Sequence, residues 1–239
     1  MAERVIQHAG KEAAASADHL NLNYILPYLD VTIARFPDNV WLKLDKAKAL
    51  LNLGRGDDAL SFGMAVVKAK TSEYWAWELL GDIVRQTDPT AALGCYCKAM
   101  SCSVDNKFTG KVRLKLAEEM IGLNDLPAAK CEVETVLRQK EEEGQRIPEV
   151  AIRIVSQPWF ASTAANASNA DYYRSHAGAA EFLLLSQLPW IPANLGDRFT
   201  PPGMEKKPKR RIFVKTQSDP LGMVCTTPVP TCIDAGNFR

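Results

Sequence analysis

Tyr74-Trp75-Ala76-Trp77-Glu78-Leu79-Leu80-Gly81-Asp82-Ile83-Val84, followed by Ala92 and Tyr96, is the stretch that decides the fold. Trp77, Leu80 and Gly81 set two large residues and a small one on a single helical face. Ala92 and Tyr96 place a small residue and an aromatic one turn apart on a second helix. A period of this kind fixes the architecture of a chain, so self-similarity is tested before single motifs. Counting 34 residues back from Tyr74 reaches Val40, and Ala47, Leu50, Gly54 and Ala59 then repeat the small, large, turn and small positions, with Pro37 closing what precedes. Counting forward, Leu116, Ala117, Met120, Ala129 and Val133 reproduce the pattern after an insertion of about three residues near Lys107–Thr109.

Packing explains the residue types. A small side chain at the eighth position of each unit (Ala47, Gly81, Ala117) lets its two helices approach closely, and Ala59, Ala92 and Ala129 do the same from the second helix. Trp77, Leu80, Tyr96 and Leu116 fill the space between units. This phase puts Gly81 at a close crossing and Gly94 on an outer helical face. Gly54, Asp88 and Asn124 are turn residues. An ordinary bundle with amphipathic stripes is the alternative, but three copies in phase are hard to obtain by accident.

The Trp77/Leu80/Gly81 and Ala92/Tyr96 pattern resembles the tetratricopeptide repeat family. The resemblance implies an all-α, helical-repeat superhelix with repeats at about 40–73, 74–106 and 110–143, whose concave groove binds a peptide or partner protein. Single units cannot bury their own faces, so capping elements are expected at both ends. Tyr24 to Phe36 reads as one, with Ile25, Leu26, Leu29, Ile33 and Phe36 at helical spacing. Residues 148–188 read as the other: a short helix from Pro148 to Val155, a Trp159-bearing break, a small polar linker from Ser162 to Ala170, and a longer helix over Asp171–Leu188.

The best-known ligand site of the repeat family is a Lys and Asn clamp for chaperone C-termini. At the corresponding positions this chain has Leu44 and Lys48, then Glu78 and Asp82, so that clamp is absent. The groove positions are instead of mixed charge: Lys48, Glu78, Asp82, Lys111, Lys115 and Glu118. A different protein or peptide is the expected partner.

Charge divides the chain of 239 residues: the formal net charge is +1, but the first 200 residues carry −3 and the rest +4. Prolines shift too, with five before residue 150 and nine after. Residues 189–211 therefore read as a Pro-rich basic linker, and 212–239 as a short strand-forming tail, with strands near Ile212–Lys215, Met223–Thr227 and Val229–Ile233. Lys206, Lys207, Lys209, Arg210, Arg211 and Lys215 are candidate contacts for nucleic acid, single strands included. Thirty residues are too few for a five-stranded barrel, so if a barrel begins here the tail is a truncated one. Trp75–Asp82, Cys95–Ala99 and Ser156–Trp159 are similar to a bacterial family in which such repeats precede a nucleic-acid-binding barrel, in gene neighbourhoods linked to conflict or stress response.

No stretch approaches the ~18 apolar residues of a membrane span, and the first residues lack the apolar core of a secretion signal. A cytoplasmic location is the expectation. Cys95, Cys97, Cys102 and Cys131 fall within helical pattern and read as reduced core thiols; on one helix Cys95 and Cys97 point about 200° apart, which disfavours a shared metal. His8, His19 and His176 are scattered, and neither a phosphate-binding loop nor a nucleophile elbow occurs. The reading is a non-catalytic scaffold without metal or cofactor.

Overall fold

The computed structural model describes residues 2–102, 105–185, 193–200, 209–216 and 219–228. The chain divides into two compact units, Met1–Ser186 and Gln187–Arg239.

The first unit is a stack of helix pairs. Helices α1 (Ala2–Ser16) and α2 (His19–Arg35) come first, then α3 (Val40–Asn52) with α4 (Gly56–Ala69), α5 (Tyr74–Val84) with α6 (Pro89–Ser101), and α7 (Asn106–Gly122) with α8 (Leu126–Glu142). Short helices α9 (Glu149–Val155) and α10 (Pro158–Ser162) lead into α11 (Ala170–Leu185). Side-chain caps start most of the long helices: Asp18, Asn39, Asp88, Asp105 and Asp125 each accept from a backbone N–H of the first turn, supplying donors' partners that the helix itself cannot. Three helices end in the same way. Arg55, Asp125 and Gln145 donate back to Leu50, Met120 and Lys140, while the residue before each, Gly54, Asn124 or Gly144, takes a positive φ of 60–71°. These paired bonds satisfy the last carbonyls and need a left-handed residue at the bend.

The architecture is the all-α, tetratricopeptide-like helical repeat. The N-terminal element, read from sequence as one helix from Tyr24, is a complete pair: α2 begins at His19, and α1 packs on both α2 and α3. Asn39 Nδ2 donates to Glu3, and Asn52 Nδ2 to the Ala14 carbonyl at 2.8 Å. Lys107–Thr109, read as an insertion, form part of the first turns of α7.

A nearly continuous core runs through the pairs, from Leu22 and Leu29 through Leu42, Trp77, Leu80 and Tyr96 to Leu116, Met120 and Val136. A Cβ placed on Gly81 would lie 2.6 Å from Cε1 of Tyr96, so the α5–α6 crossing has room only for hydrogen there. Gly94 corrects the sequence reading. It is buried, and its Cβ would lie 2.9 Å from both the Ala179 Cβ and the Ala180 backbone nitrogen. Helix α11 packs along α6, so the face expected to meet solvent is a second close crossing. The reason is tertiary: the segment after α8 turns back over the preceding unit, which no local period encodes.

The second unit holds strands β1 (Ala193–Phe199), β2 (Lys209–Thr216) and β3 (Asp219–Pro228) in an antiparallel sheet of order β1-β2-β3. Ala193 pairs with Val214 and Phe199 with Lys209; Ile212 pairs with Cys225. Part of the expected linker over 189–211 is therefore strand: β1 lies between the prolines at 192 and 201 that pointed to a linker, and Lys209–Arg211 open β2. Val229–Ile233 lie outside the described residues.

Candidate partner-binding face

Helices α3, α5 and α7 are the first helices of their pairs, and their repeat positions can be compared directly. The second position holds Trp41, Trp75 and Lys111; the ninth holds Lys48, Asp82 and Glu118. Residues seven apart share a helix face. Trp41 and Trp75, 34 residues apart in sequence, stack with ring centroids 5.5 Å apart and planes at 23°. Trp41 remains 43% exposed, Lys70 Nζ lies 5.7 Å from its ring centroid, and Trp75 Nε1 donates to Glu73 at 3.2 Å. Trp75 is half-buried against the core, and an exposed indole stacked on such a support presents a large, rigid apolar surface with little rotamer entropy to lose on binding.

On the same helices are two groups of ion pairs. Lys115 Nζ on α7 donates to Glu78 at 2.6 Å and to Asp82 at 2.7 Å, both on α5; the Tyr96 hydroxyl donates to the other Asp82 oxygen at 2.8 Å. Just after α5, Arg85 reaches Glu119 at 2.5 Å and Glu118 at 3.1 Å on α7, and Arg153 of α9 reaches Glu118 at 2.6 Å. Burial acts to lower the Lys115 pKa, but the two carboxylates together outweigh it and the ammonium is held above its usual value. Arg85 behaves in the same way, burial being outweighed by Glu119 and Glu118. The Tyr96 hydroxyl is pushed up by burial and then by the charge of Asp82.

Four of the six groove residues singled out from sequence thus lie in a wall across α5 and α7 made of two separate groups: Glu78, Asp82 and Lys115 in one, and Glu118 with Arg85 and Arg153 in the other. Lys48 and Lys111 lie exposed outside both groups. Sequence reasoning missed Trp41 and Trp75 as a pair, although their shared repeat position was the signal, and missed Arg85, Glu119 and Arg153. Of the tail residues, Lys209, Arg210, Arg211 and Lys215 belong to β2, and Lys206 and Lys207 lie outside the described residues.

A second polar cluster is structural. Glu132 of α8 is fully buried and accepts from Arg113 at 2.6 Å, from Asn169 at 2.7 Å and from the Tyr173 hydroxyl. Asn169 also donates to the Ala128 carbonyl at 2.9 Å, and Lys130 Nζ to the carbonyls of Phe160 and Thr163 at 2.6 and 2.9 Å. The polar linker from Ser162 to Ala170 is held against α8 by these bonds. Cys95 and Cys97 are buried, and burial pushes both thiols up to about 12, which keeps them neutral and poorly reactive. Among the described residues no cluster of His, Cys, Asp and Glu has the arrangement of a metal site, and no helix is long and apolar enough to cross a membrane.

The family described as "Domain of unknown function (DUF7017)" matches residues 40–180, more than half of the chain. The chain belongs to that family. Its matched span in this DUF7017 protein begins at the first residue of α3 and ends within α11. No curated protein matches. Two solved structures share the fold: "Crystal structure of MamA protein", 15% identical with a TM-score of 0.50, covering 80% of this chain and 98% of that one, and "Crystal structure of MamA", 14% identical with a TM-score of 0.50, covering 76% and 97%. At such identities the likeness is one of fold.

Proposed function

We propose that the chain is a non-catalytic interaction scaffold that binds a partner protein or peptide along the face formed by α3, α5 and α7. The observation carrying this reading is the Trp41–Trp75 stack, set at the same position of consecutive repeats, in which Trp75 is anchored against the core and Trp41 stays exposed. An exposed indole held in place on a rigid framework is a typical anchor for a partner. In this reading Glu78, Asp82 and Lys115 hold the wall rigid through their mutual pairs and Glu118 does so through Arg85 and Arg153, and the exposed Lys48 and Lys111 add positive charge to the same helices. A cytoplasmic location belongs to the same proposal.

Affinity capture from the native cell, with mass spectrometry, tests it when wild type is compared with Trp41→Ala, the substitution at the exposed indole. The expected outcome is a set of proteins retained by wild type and lost by the variant at unchanged melting temperature. An identical set on both would sink the reading.

A second reading, a nucleic-acid-associated accessory role of the kind found in bacterial conflict or stress systems, is favoured by one observation. Lys209, Arg210, Arg211 and Lys215 lie on β2, the central strand of the sheet. Phosphate binding weakens steeply with salt. Single-stranded DNA binding at low salt that disappears in Arg210→Glu/Arg211→Glu is the expected result; equal, weak binding by both proteins removes this role.

A further inference from the structure

Helix α2 has an outer face unlike any other long helix of the stack. Its inner face, Leu22, Ile25, Leu26 and Leu29, is buried in the core. On the opposite side Leu20, Tyr24, Tyr28 and Val31 recur at helical spacing and are 81%, 69%, 46% and 72% exposed. The Tyr24 and Tyr28 rings lie 5.3 Å apart, so the stripe is continuous at its middle. Over the whole helix the only Asp, Glu, Lys or Arg residues are Asp30, engaged with Lys46 of α3, and Arg35 at the C-terminal end. A helix that is apolar on both faces is ordinarily covered on both, and a contiguous apolar patch rimmed by polar groups marks an interaction site.

We infer that this stripe is a homodimer interface, in which α2 packs antiparallel against α2 of a second copy. The stripe is its own complement. Tyr24 and Tyr28 are centred on position 26, Leu20 and Val31 between 25 and 26, and Asp18 and Arg35 between 26 and 27. A two-fold axis beside residue 26 therefore sets Tyr24 against the second copy's Tyr28 and Leu20 against its Val31. It also brings Asp18, the exposed N-cap whose carboxylate accepts from the Leu20 N–H and from Asn21, to the end of the helix where the second copy's basic Arg35 lies, so opposite charges meet at both ends. Such isologous pairing is the commonest form of oligomer, and the two helix dipoles then oppose. The flanking polar residues, Asn21, Asn23 and Thr32, are uncharged. They offer a membrane none of the Lys and Arg that amphipathic surface helices use to bind anionic lipid. One helix from each copy makes a small interface of the weak, concentration-dependent class.

Sedimentation equilibrium of the full chain, from low micromolar to sub-millimolar concentration, tests the proposal. The expected result is a reversible monomer–dimer equilibrium that Tyr24→Glu/Val31→Glu weakens by more than about tenfold, the scale of a hot-spot loss, with an unchanged circular dichroism spectrum. Orientation is read by cross-linking under mild oxidation against a wild-type background. Leu20→Cys chains mixed with Val31→Cys chains are expected to form a disulfide, and Leu20→Cys alone is not. A monomer at every concentration, a dimer indifferent to the double substitution, efficient self-linking of Leu20→Cys, or binding to anionic phosphatidylserine vesicles through this stripe would each overturn it.

Discussion

Helix α6 is covered on two sides, and the two seams yield to pressure in different ways. Toward α5, Gly81 leaves space for the ring of Tyr96, whose hydroxyl is tied to Asp82. Toward α11, Gly94 leaves space for a backbone: besides the Ala180 nitrogen, the His176 carbonyl oxygen lies 3.0 Å from where its Cβ would be. A ring can tilt within its cavity, whereas a helical peptide group moves only if its helix moves. One seam is thus side chain on helix and locally adjustable; the other is helix on helix and all-or-none.

The strongest blow to the outer seam is Arg113→Ala. It removes a cation from a fully buried carboxylate, a change that typically costs about 3–5 kcal/mol, and it withdraws a partner of Tyr173 on α11. A large fall in urea midpoint is expected; an unchanged midpoint would mean that the Glu132 cluster does not hold α11 in place. Next is Gly94→Leu, expected to cost at least the ~1–3 kcal/mol of ordinary overpacking and to open residues 163–169 to limited proteolysis while α3–α5 stay protected. Gly81→Leu should cost less. Overpacking of ~1–3 kcal/mol and a gain of up to ~1 kcal/mol in helix propensity apply to both glycines, so the difference rests on the obstacle: part of the Tyr96 ring can give way, and the α11 backbone cannot. If calorimetry showed Gly81→Leu the more damaging, the contrast between the seams would be reversed.

The smallest effect sharpens the contrast at the α1–α3 seam. Asp45 is buried there, 3.3 Å from the Cβ position of Gly10. Burial raises its pKa to about 6 against the attraction of Lys48 and Lys11. The folded chain holds this proton more tightly than the unfolded chain. The group's contribution is therefore fully present below pH 3.8 and is lost as pH rises through about 6. Asp45→Asn should remove that slope and stabilise the protein at neutral pH by on the order of 1 kcal/mol, allowing for solvent screening. Thermal melts from pH 4 to pH 8, approximate limits that bracket the titration, decide it: parallel curves for both proteins would rule out Asp45 as the source.

The inner seams were legible because the residues that build them recur: Ala47, Gly81 and Ala117 repeat one steric requirement. The outer seam was not, because Gly94 meets residues more than 80 positions later that share no period with it. Local pattern could show that α11 was helical and apolar on one side, but not where that side would settle. The charged wall was half visible. Glu78, Asp82 and Lys115 stood out as groove positions, but Lys115 lies 37 residues from Glu78 rather than 34, so counting by the period did not pair them. In the second unit, prolines on either side of 193–199 obscured β1, since a strand needs neighbours that only folding supplies.

Helix α11 joins neighbouring pairs: it lies along α6 in one and bonds through Tyr173 to Glu132 of α8 in the next. Stacked repeats ordinarily hold together only through adjacent interfaces, so an array can fray from its end one unit at a time. A cross-brace over two units removes that freedom. The last pair cannot peel away without also stripping its neighbour, and the melting of α5 through α8 becomes a single cooperative step.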